Sequence, residues 1–192
     1  KGVFCKQIEE ELLESKIDLA VHSLKDLPTQ MTKGLCVEAV VKRNDPRDAF
    51  ISNSNKSFSE LKPQSKIGTS SFRRQAQINL MRNDIKIVAM RGNIDTRINK
   101  LKNKEFDAIV LSLAGIQMLN LSNEVKEIFS IEQMLPAIGQ GVIALQCREN
   151  DKNILKILDK INHKETFFCI QSERALLEAI GGDCDTAIGG LA

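Results

Sequence analysis

Along the middle of the chain, short apolar runs alternate with longer segments in which apolar and polar residues are mixed. The runs KIGTS, IKIVAM and DAIVLS, which begin at residues 66, 85 and 107, predict strands. The segments SFRRQAQINLMRND, NIDTRINKLKNKEF and LAGIQML follow them in turn and predict helices. Short apolar strands that alternate with helices of about 10–15 residues form βαβ units, whose strands are parallel. This region is therefore predicted to be an α/β domain with a parallel sheet.

The flanking segments carry the same two patterns. KQIEEELLESK (6–16) predicts a helix, while IDLAVHS (17–23), LCVEAVV (35–41) and GVIALQC (141–147) predict strands. The helix predicted from KNILKILDKI is followed by a longer one, KETFFCIQSERALLEAI, which ends at Gly181 and Gly182. The polar, proline-containing segment KRNDPRDAF (42–50) is interpreted as a crossing between two domains.

Composition narrows the class of protein. With 192 residues, 42% hydrophobic and 27% charged, the chain is expected to be globular, with one or two domains. It has no run of roughly 18 apolar residues and no basic-apolar leader, so a cytoplasmic location without membrane partners is the expectation. The five cysteines are widely spaced without a Cys-x-x-Cys pair, and there are only two histidines, so neither a disulfide framework nor a metal site is expected.

Charge is unevenly distributed. Residues 51–120 contain twelve Lys or Arg and five Asp or Glu, a local net charge of +7 within a total of +2. A basic surface that only aids solubility would explain this excess, and so would an anionic ligand. The positions of the basic residues distinguish these interpretations.

Basic residues and hydroxyl groups follow two neighbouring predicted strands. In open parallel sheets, ligands bind where the carboxyl ends of the strands lead into helices. Two arginines in the first turn of a helix are unfavourable next to its dipole, and a bound anion would offset that cost. The first such turn contains Thr69, Ser70, Ser71, Arg73 and Arg74, and the second contains Arg91 and Arg97.

These arginines favour carboxylates as ligands, because a guanidinium group can donate two parallel hydrogen bonds to one carboxylate or phosphate. Nucleic acid is disfavoured, since the basic region has only Phe58, Phe72 and Phe106 as aromatic residues and the whole chain has no Tyr or Trp for base stacking. No glycine-rich phosphate loop of the G-x-x-x-x-G-K-[ST] or G-x-G-x-x-G type is present. Small polycarboxylates are therefore the preferred ligand class.

Two other segments are candidates for chemistry. HSLKDLP (22–28) places Ser23, Lys25 and Asp26 at the end of a predicted strand. Asp26 is either an ordinary turn residue, with His22 in the core, or an ionised carboxylate that stabilises a cation or moves a proton. In AIGGDCDT (179–186), Cys184 is either incidental or a thiol placed in a loop for attachment of a group.

Taken together and in order, these segments resemble the porphobilinogen deaminase family, also called hydroxymethylbilane synthases. The resemblance extends over nearly the whole chain. The matching segments are KGVFCKQIEEELL, DLAVHSLKDLP, NDPRDAF, IGTSSFRRQAQ, RGNIDTRINKL, FDAIVLSLAG, LPAIGQGVIALQCR and SERALLEAIGGDC.

The resemblance implies a transferase that joins four porphobilinogen molecules head to tail, with release of ammonia, to give the linear tetrapyrrole hydroxymethylbilane. It implies a dipyrromethane primer in thioether linkage to Cys184, and it assigns Asp26 as the carboxylate that stabilises positive charge on the reacting pyrrole. The family positions that bind cofactor and substrate carboxylates or line the site correspond here to Lys1, Ser23, Lys25, Thr69, Ser70, Ser71, Arg73, Arg74, Arg91, Arg97 and Gln140. Met118 and Asp183 stand where the family often has arginine and glycine.

The resemblance also implies two domains of the type II periplasmic-binding-protein fold with mostly parallel sheets, and a monomer. Residues 1–42 and 142–160 would form the first domain and 47–135 the second, joined by crossings near 42–47 and 136–141. Residues 164–192 would begin a small α+β third domain. The chain would be a fragment that lacks the start of the first domain and most of the third. The alternative function is a non-catalytic protein on the same fold that binds small polycarboxylate anions, with Cys184 incidental.

Overall fold

The computed structural model of the protein describes residues 2–182 and 186–192. Its helices are α1 (Gly2–Leu13), α2 (Phe72–Met81), α3 (Ile94–Lys102), α4 (Leu113–Met118), α5 (Lys152–Ile161) and α6 (Lys164–Ala179). Its strands are β1 (Ala20–Ser23), β2 (Leu35–Val40), β3 (Asp48–Ser52), β4 (Lys66–Gly68), β5 (Lys86–Val88), β6 (Ala108–Ser112), β7 (Glu127–Ile128) and β8 (Ile143–Arg148). Short 3-10 turns cover Leu24–Asp26 and Ser122–Glu124. Among the described residues, no helix has the length and apolar character that a membrane crossing would need.

The chain forms two compact units. Unit 1 contains residues 2–44, 138–182 and Gly190–Ala192, and unit 2 contains residues 45–137 and 186–189. The changes of unit at residues 44–45 and 137–138 fall inside the segments 42–47 and 136–141, which were predicted as crossings. The α6 segment packs in unit 1, and the assignment of residues 164–192 to a third domain stays a prediction.

Unit 1 contains a three-stranded sheet in the order β1-β8-β2. Both outer strands pair antiparallel with β8, so β1 and β2 run in the same direction on either side of it. These pairings differ from the parallel arrangement expected for this domain, because the chain returns through β8 between the two earlier strands. A core that includes Leu24, Leu27 and Ile170 anchors the turn after β1 and one face of α6.

Unit 2 contains a five-stranded sheet in the order β5-β4-β6-β3-β7. The pairs β4–β5 and β4–β6 are parallel, as the βαβ pattern predicted, whereas β3 runs antiparallel to β6 and β7. Phe50, Phe58 and Phe129 form an edge-to-face cluster in its core, with ring centroids 5.3–6.1 Å apart. Strands β4 and β5 lead directly into the two arginine-bearing turns.

The segment KRNDPRDAF also contains the start of a strand that the sequence pattern did not predict. Its last three residues begin strand β3, all five residues of which are buried. A strand buried on both faces has no alternation of polar and apolar residues, and a polar stretch with Pro46 precedes it, so the period-two signal was absent.

Candidate functional site

The turn that follows β1 displays Lys25 and Asp26 between two buried leucines. Leu24 and Leu27 are 2% and 3% exposed and pack into the core of unit 1, whereas Lys25 and Asp26 are partly exposed. The Leu24 amide donates to the carbonyl of Val142 at 2.9 Å, which ties the turn to the start of β8. The fold thus fixes the backbone of the turn and leaves the polar side chains at its surface.

Several residues predicted to line the site meet in this part of unit 1. The Lys25 Nζ donates to Gln140 Oε1 at 3.3 Å, and Gln140 is almost fully buried. Gly139 has a φ of +70°, and a Cβ there would lie 3.0 Å from the Leu24 side chain, so glycine permits this close approach. Ser23 ends β1 and is exposed. Lys1, the remaining predicted residue of this group, lies outside the described residues.

Helix α6 is joined to the same turn by two sets of hydrogen bonds. Arg174 Nη2 donates to the carbonyls of Pro28 and Thr29, each at 2.7 Å. Thr29 Oγ1 donates to the carbonyl of Gly182 at 3.0 Å. Burial lowers the pKa of Arg174 and the nearby Glu178 opposes this, but so strong a base remains charged at neutral pH. The Asp26 turn and the end of the segment that leads to Cys184 are therefore held together.

The predicted attachment residue, Cys184, lies outside the described residues. Gly182 precedes it by two positions, and Gly181 ends the helix with a φ of +64°. Its amide and that of Gly182 donate to the carbonyls of Glu178 and Leu177, both at 2.9 Å, as in a glycine-terminated helix. The glycine stop predicted from the sequence is confirmed.

In unit 2, the hydroxyl residues after β4 organise the two arginine turns. Ser71 accepts from the Arg74 amide at 3.4 Å and caps α2, and Thr69 Oγ1 accepts from the Ser71 amide at 3.2 Å. Ser70 Oγ donates to the Met90 carbonyl at 3.0 Å and accepts from the Met90 amide at 2.9 Å. The turns after β4 and β5 are thus adjacent, as their positions on neighbouring parallel strands predicted.

Arg73 and Arg74 converge on a single buried carboxylate, that of Asp48 at the start of β3. Arg73 Nη2 donates to Asp48 Oδ2 at 2.8 Å, and Arg74 Nη2 donates to Asp48 Oδ1 at 2.6 Å. Arg74 Nε also donates to Asp48 Oδ1 at 3.2 Å. Two further bonds run to main-chain carbonyls: Arg73 Nη1 donates to that of Leu135 at 2.7 Å and Arg74 Nη1 to that of Val110 at 3.1 Å. The anion needed to offset two arginines at a helix start is thus supplied, at least in part, by the protein itself.

The electrostatics of this cluster leave it positive. Burial alone would raise the pKa of Asp48, but the charges and hydrogen bonds of Arg74 and Arg73 outweigh it and lower the pKa to about 2. The carboxylate is therefore ionised at neutral pH, and the three side chains together carry one net positive charge. The Nε of Arg73 is buried without a hydrogen-bond partner among the described residues. A buried, partly unsatisfied guanidinium with excess positive charge is suited to an anionic group.

The second arginine turn is more open. Arg91 is exposed, and Arg97 is partly exposed and donates from Nε to the Gly92 carbonyl at 2.7 Å. Met118, which ends α4, is 63% exposed. Asp48 and Arg174 are site residues that sequence reasoning missed. Each acts through partners at least 25 positions away, for which the sequence carries no local signal.

Comparison with known proteins identifies the family. The model of the family described as "Porphobilinogen deaminase, dipyromethane cofactor binding domain" matches residues 1–156. The chain belongs to the porphobilinogen deaminase family.

Curated members of this family align with the whole chain. The chain is 45% identical over 192 residues to the porphobilinogen deaminase of Syntrophomonas wolfei. The alignment covers 100% of this chain and 63% of that relative. It is 50% identical over 190 residues to the porphobilinogen deaminase of Rickettsia bellii. That alignment covers 98% of this chain and again 63% of the relative. The chain thus spans about 63% of the length of these curated relatives, as the prediction of a fragment implies.

Several solved structures have a similar fold. The methionine binding protein MetQ has a TM-score of 0.53 at 13% identity, over 96% of this chain and 82% of that one. A nutrient binding protein from Burkholderia cenocepacia bound to methionine has a TM-score of 0.52 at 13% identity, over 78% and 73%. At such low identity these matches show the fold alone, and they confirm the type II periplasmic-binding-protein fold class.

Proposed function

We propose that this chain supplies the catalytic turn, the primer attachment point and the carboxylate-binding arginines of a porphobilinogen deaminase. The reaction would join four porphobilinogen molecules head to tail to give hydroxymethylbilane. In each addition, the bond between the aminomethyl carbon and nitrogen of one unit breaks and ammonia leaves. A carbon–carbon bond to the free α-carbon of the neighbouring pyrrole forms, and that carbon loses its proton. Water adds when the finished tetrapyrrole leaves the primer and supplies the hydroxyl group of the product.

The observation that carries the proposal is the hydrogen-bonded link between the Asp26 turn and the end of α6. A primer attached near a fixed carboxylate keeps its reacting end close to that carboxylate. The Thr29–Gly182 bond and the Arg174 bonds to Pro28 and Thr29 support such an arrangement within unit 1. These hydrogen bonds hold the segment after Asp26 against the end of α6, as attachment of a primer at Cys184 would require.

The chain's donor groups fit a dipyrromethane cofactor, whose pyrroles carry acetate and propionate groups. The unsatisfied Arg73 Nε, the net positive charge around Asp48 and the open Arg91 all favour carboxylates. By the family resemblance, such groups would be bound by Arg73, Arg74, Arg91 and Arg97, with Thr69, Ser70 and Ser71. The same role would fall to Ser23, Lys25, Gln140 and Lys1. When bound to Cys184, the cofactor would supply the pyrrole end to which substrate units are added.

Asp26 would act through its negative charge. When the aminomethyl group leaves as ammonia, positive charge spreads over the pyrrole, and a carboxylate beside the ring nitrogen would stabilise it. In a partly desolvated site this stabilisation exceeds what water provides. Lys25, held by Gln140, would bind a substrate carboxylate beside it.

The decisive experiment is the intact mass of the denatured protein purified from cells that make porphobilinogen. We expect an added mass equal to two porphobilinogens less two ammonias in the parent and in Cys169→Ser, but not in Cys184→Ser. Asp26→Asn should retain a folded chain but lose turnover of porphobilinogen. An unmodified parent that still binds polycarboxylates would support the anion-binding alternative instead, and near-normal turnover by Asp26→Asn would contradict the role of the carboxylate.

A further inference from the structure

Two cysteines face each other across the sheet of unit 1. Cys36 on β2 and Cys147 on β8 are direct partners in the antiparallel register, and their Sγ atoms are 3.8 Å apart. Directly opposed residues in antiparallel pairs have Cα atoms about 4.5–5.5 Å apart, inside the range of about 4.4–6.8 Å that disulfides span. The backbone therefore already has the spacing that a disulfide needs, and a side-chain rotation can bring the sulfurs into bonding distance.

The two thiols differ in access. Cys147 is fully buried in a cluster with Ala39, Leu145 and Leu158. Cys36 is partly buried and lines a cavity of about 440 Å³ at the surface of the unit. A small reagent can therefore reach Cys36 first, while Cys147 is placed to attack only from inside the protein.

The cavity is acidic. Its lining includes Glu38, Glu149 and Asp159 beside Cys36. The surrounding carboxylates disfavour an anionic reagent and favour a neutral or cationic one. The site thus has a preference by charge that a merely exposed cysteine would not have.

We propose that Cys36 and Cys147 are a latent dithiol that a neutral or cationic low-molecular-weight disulfide converts into a cross-strand disulfide. This inference does not depend on the proposed function. In the first step, the Cys36 thiolate attacks the reagent, forms a mixed disulfide and releases one reagent thiolate. In the second step, the Cys147 thiolate attacks the Cys36 sulfur and releases the other. Both protein thiols lose their protons and are oxidised together by two electrons, and the reagent is reduced to two thiols.

The disulfide would enclose an unusually long loop. The two cysteines are 111 positions apart, and the chain between them contains residues 45–137 of unit 2. Cross-links that close long loops stabilise the folded state most, because they remove more freedom from the unfolded chain. The disulfide would thus link β2 and β8 covalently; the chain leaves unit 1 after β2 and returns to it before β8.

The reaction is expected to be slow near neutral pH. Burial, the neighbouring Cys147, and the charges of Glu38 and Glu149 raise the pKa of Cys36 to about 12, and burial also raises the pKa of Cys147. Only the thiolate attacks a disulfide, so the rate should rise about tenfold for each pH unit between pH 7 and 10.

The test uses the folded, fully reduced chain with cystamine, a cationic disulfide, at pH 8.5. After acid quenching and alkylation with N-ethylmaleimide, peptide mapping should show a linked peptide that contains Cys36 and Cys147. In a sample that is not alkylated, formation of the disulfide should lower the intact mass by about 2 Da, and the midpoint of thermal unfolding should rise by roughly 5–15 °C. Oxidised glutathione, which is anionic, should react at least several-fold more slowly.

Matched variants keep the test decisive. Cys36→Ser should form no linked peptide. Cys169→Ser is the control, because it removes a different partly buried cysteine, on α6, and it should form the linked peptide at the parent rate. Because Cys36 is not fully buried, its variant should fold even if Cys147→Ser does not. A persistent mixed disulfide at Cys36, a linked peptide that appears only in denaturant, or equal linkage to Cys5 or Cys169 would overturn the proposal.

Discussion

Replacing Asp48 by Asn tests the central electrostatic feature of unit 2. Asp48 is fully buried, and its two carboxylate oxygens accept from Arg73 and Arg74. Asn has nearly the same shape but no charge, and its amide group would present N–H donors to guanidinium donors. Removing one partner of a buried ion pair typically costs about 3–5 kcal/mol, because the other charge is left buried and unpaired. That is a large part of the roughly 5–15 kcal/mol that stabilises an ordinary domain.

The pKa of Asp48 gives an independent magnitude. A shift from 3.8 to about 2 on folding corresponds to roughly 2–3 kcal/mol of stabilisation at neutral pH. Because the pKa is lower in the folded state, this contribution is present above about pH 4 and is lost as the pH falls towards 2. The difference in stability between parent and Asp48→Asn should therefore shrink over that interval, since Asn resembles the protonated acid.

Urea unfolding followed by circular dichroism is the suitable assay, because the chain has no Trp or Tyr to report by fluorescence. Asp84→Asn is the matched control. Asp84 bonds to Arg82 at 2.7 Å within the same unit but at the surface, where such pairs contribute little, so its loss should barely move the midpoint. An Asp48→Asn variant within about 1 kcal/mol of the parent, or one whose deficit is unchanged at low pH, would refute the reasoning.

Two further changes test the packing of α6. Arg174→Met removes the hydrogen bonds to the carbonyls of Pro28 and Thr29, which follow Asp26. It should lower the turnover of porphobilinogen by roughly 10–100-fold while the added mass at Cys184 is retained. Unchanged steady-state kinetics would contradict this positioning role. Glu173 is buried and accepts from Arg43 Nη2 and the Gly139 amide, both at 2.8 Å. Glu173→Gln should therefore lower the free energy of unfolding in urea by about 3–5 kcal/mol. The control Glu178→Gln changes an exposed residue and should lower it little. Equal midpoints for the two glutamate variants would be evidence against the Arg43–Glu173 pair.

The sequence determined the local elements and the order in which they occur. The repeated strand–helix pattern of the middle region predicted the parallel strands β4, β5 and β6, and the hydroxyl residues after β4 predicted the start of α2. The glycine stop after α6 followed from Gly181, because the left-handed backbone there favours a residue without a side chain. These features depend on interactions between residues close in sequence, so the sequence displays them directly.

The family could also be recognised from ordered segments of sequence. Short runs such as HSLKDLP and GTSSFRRQ combine residue types that a local fold alone does not require. Their order along the chain made the resemblance specific, and the comparisons confirmed it.

Only the tertiary structure decided which distant residues meet. It showed that a segment interpreted as a crossing begins the buried strand β3, and that Asp48 in this strand binds both Arg73 and Arg74. It brought Arg174 to the Asp26 turn and placed Cys36 opposite Cys147, partners separated by 111 or more positions. Such pairs arise from strand register and from burial in a shared core. Neither leaves a periodic pattern in the sequence, because each depends on how separate segments pack and not on the residues beside them.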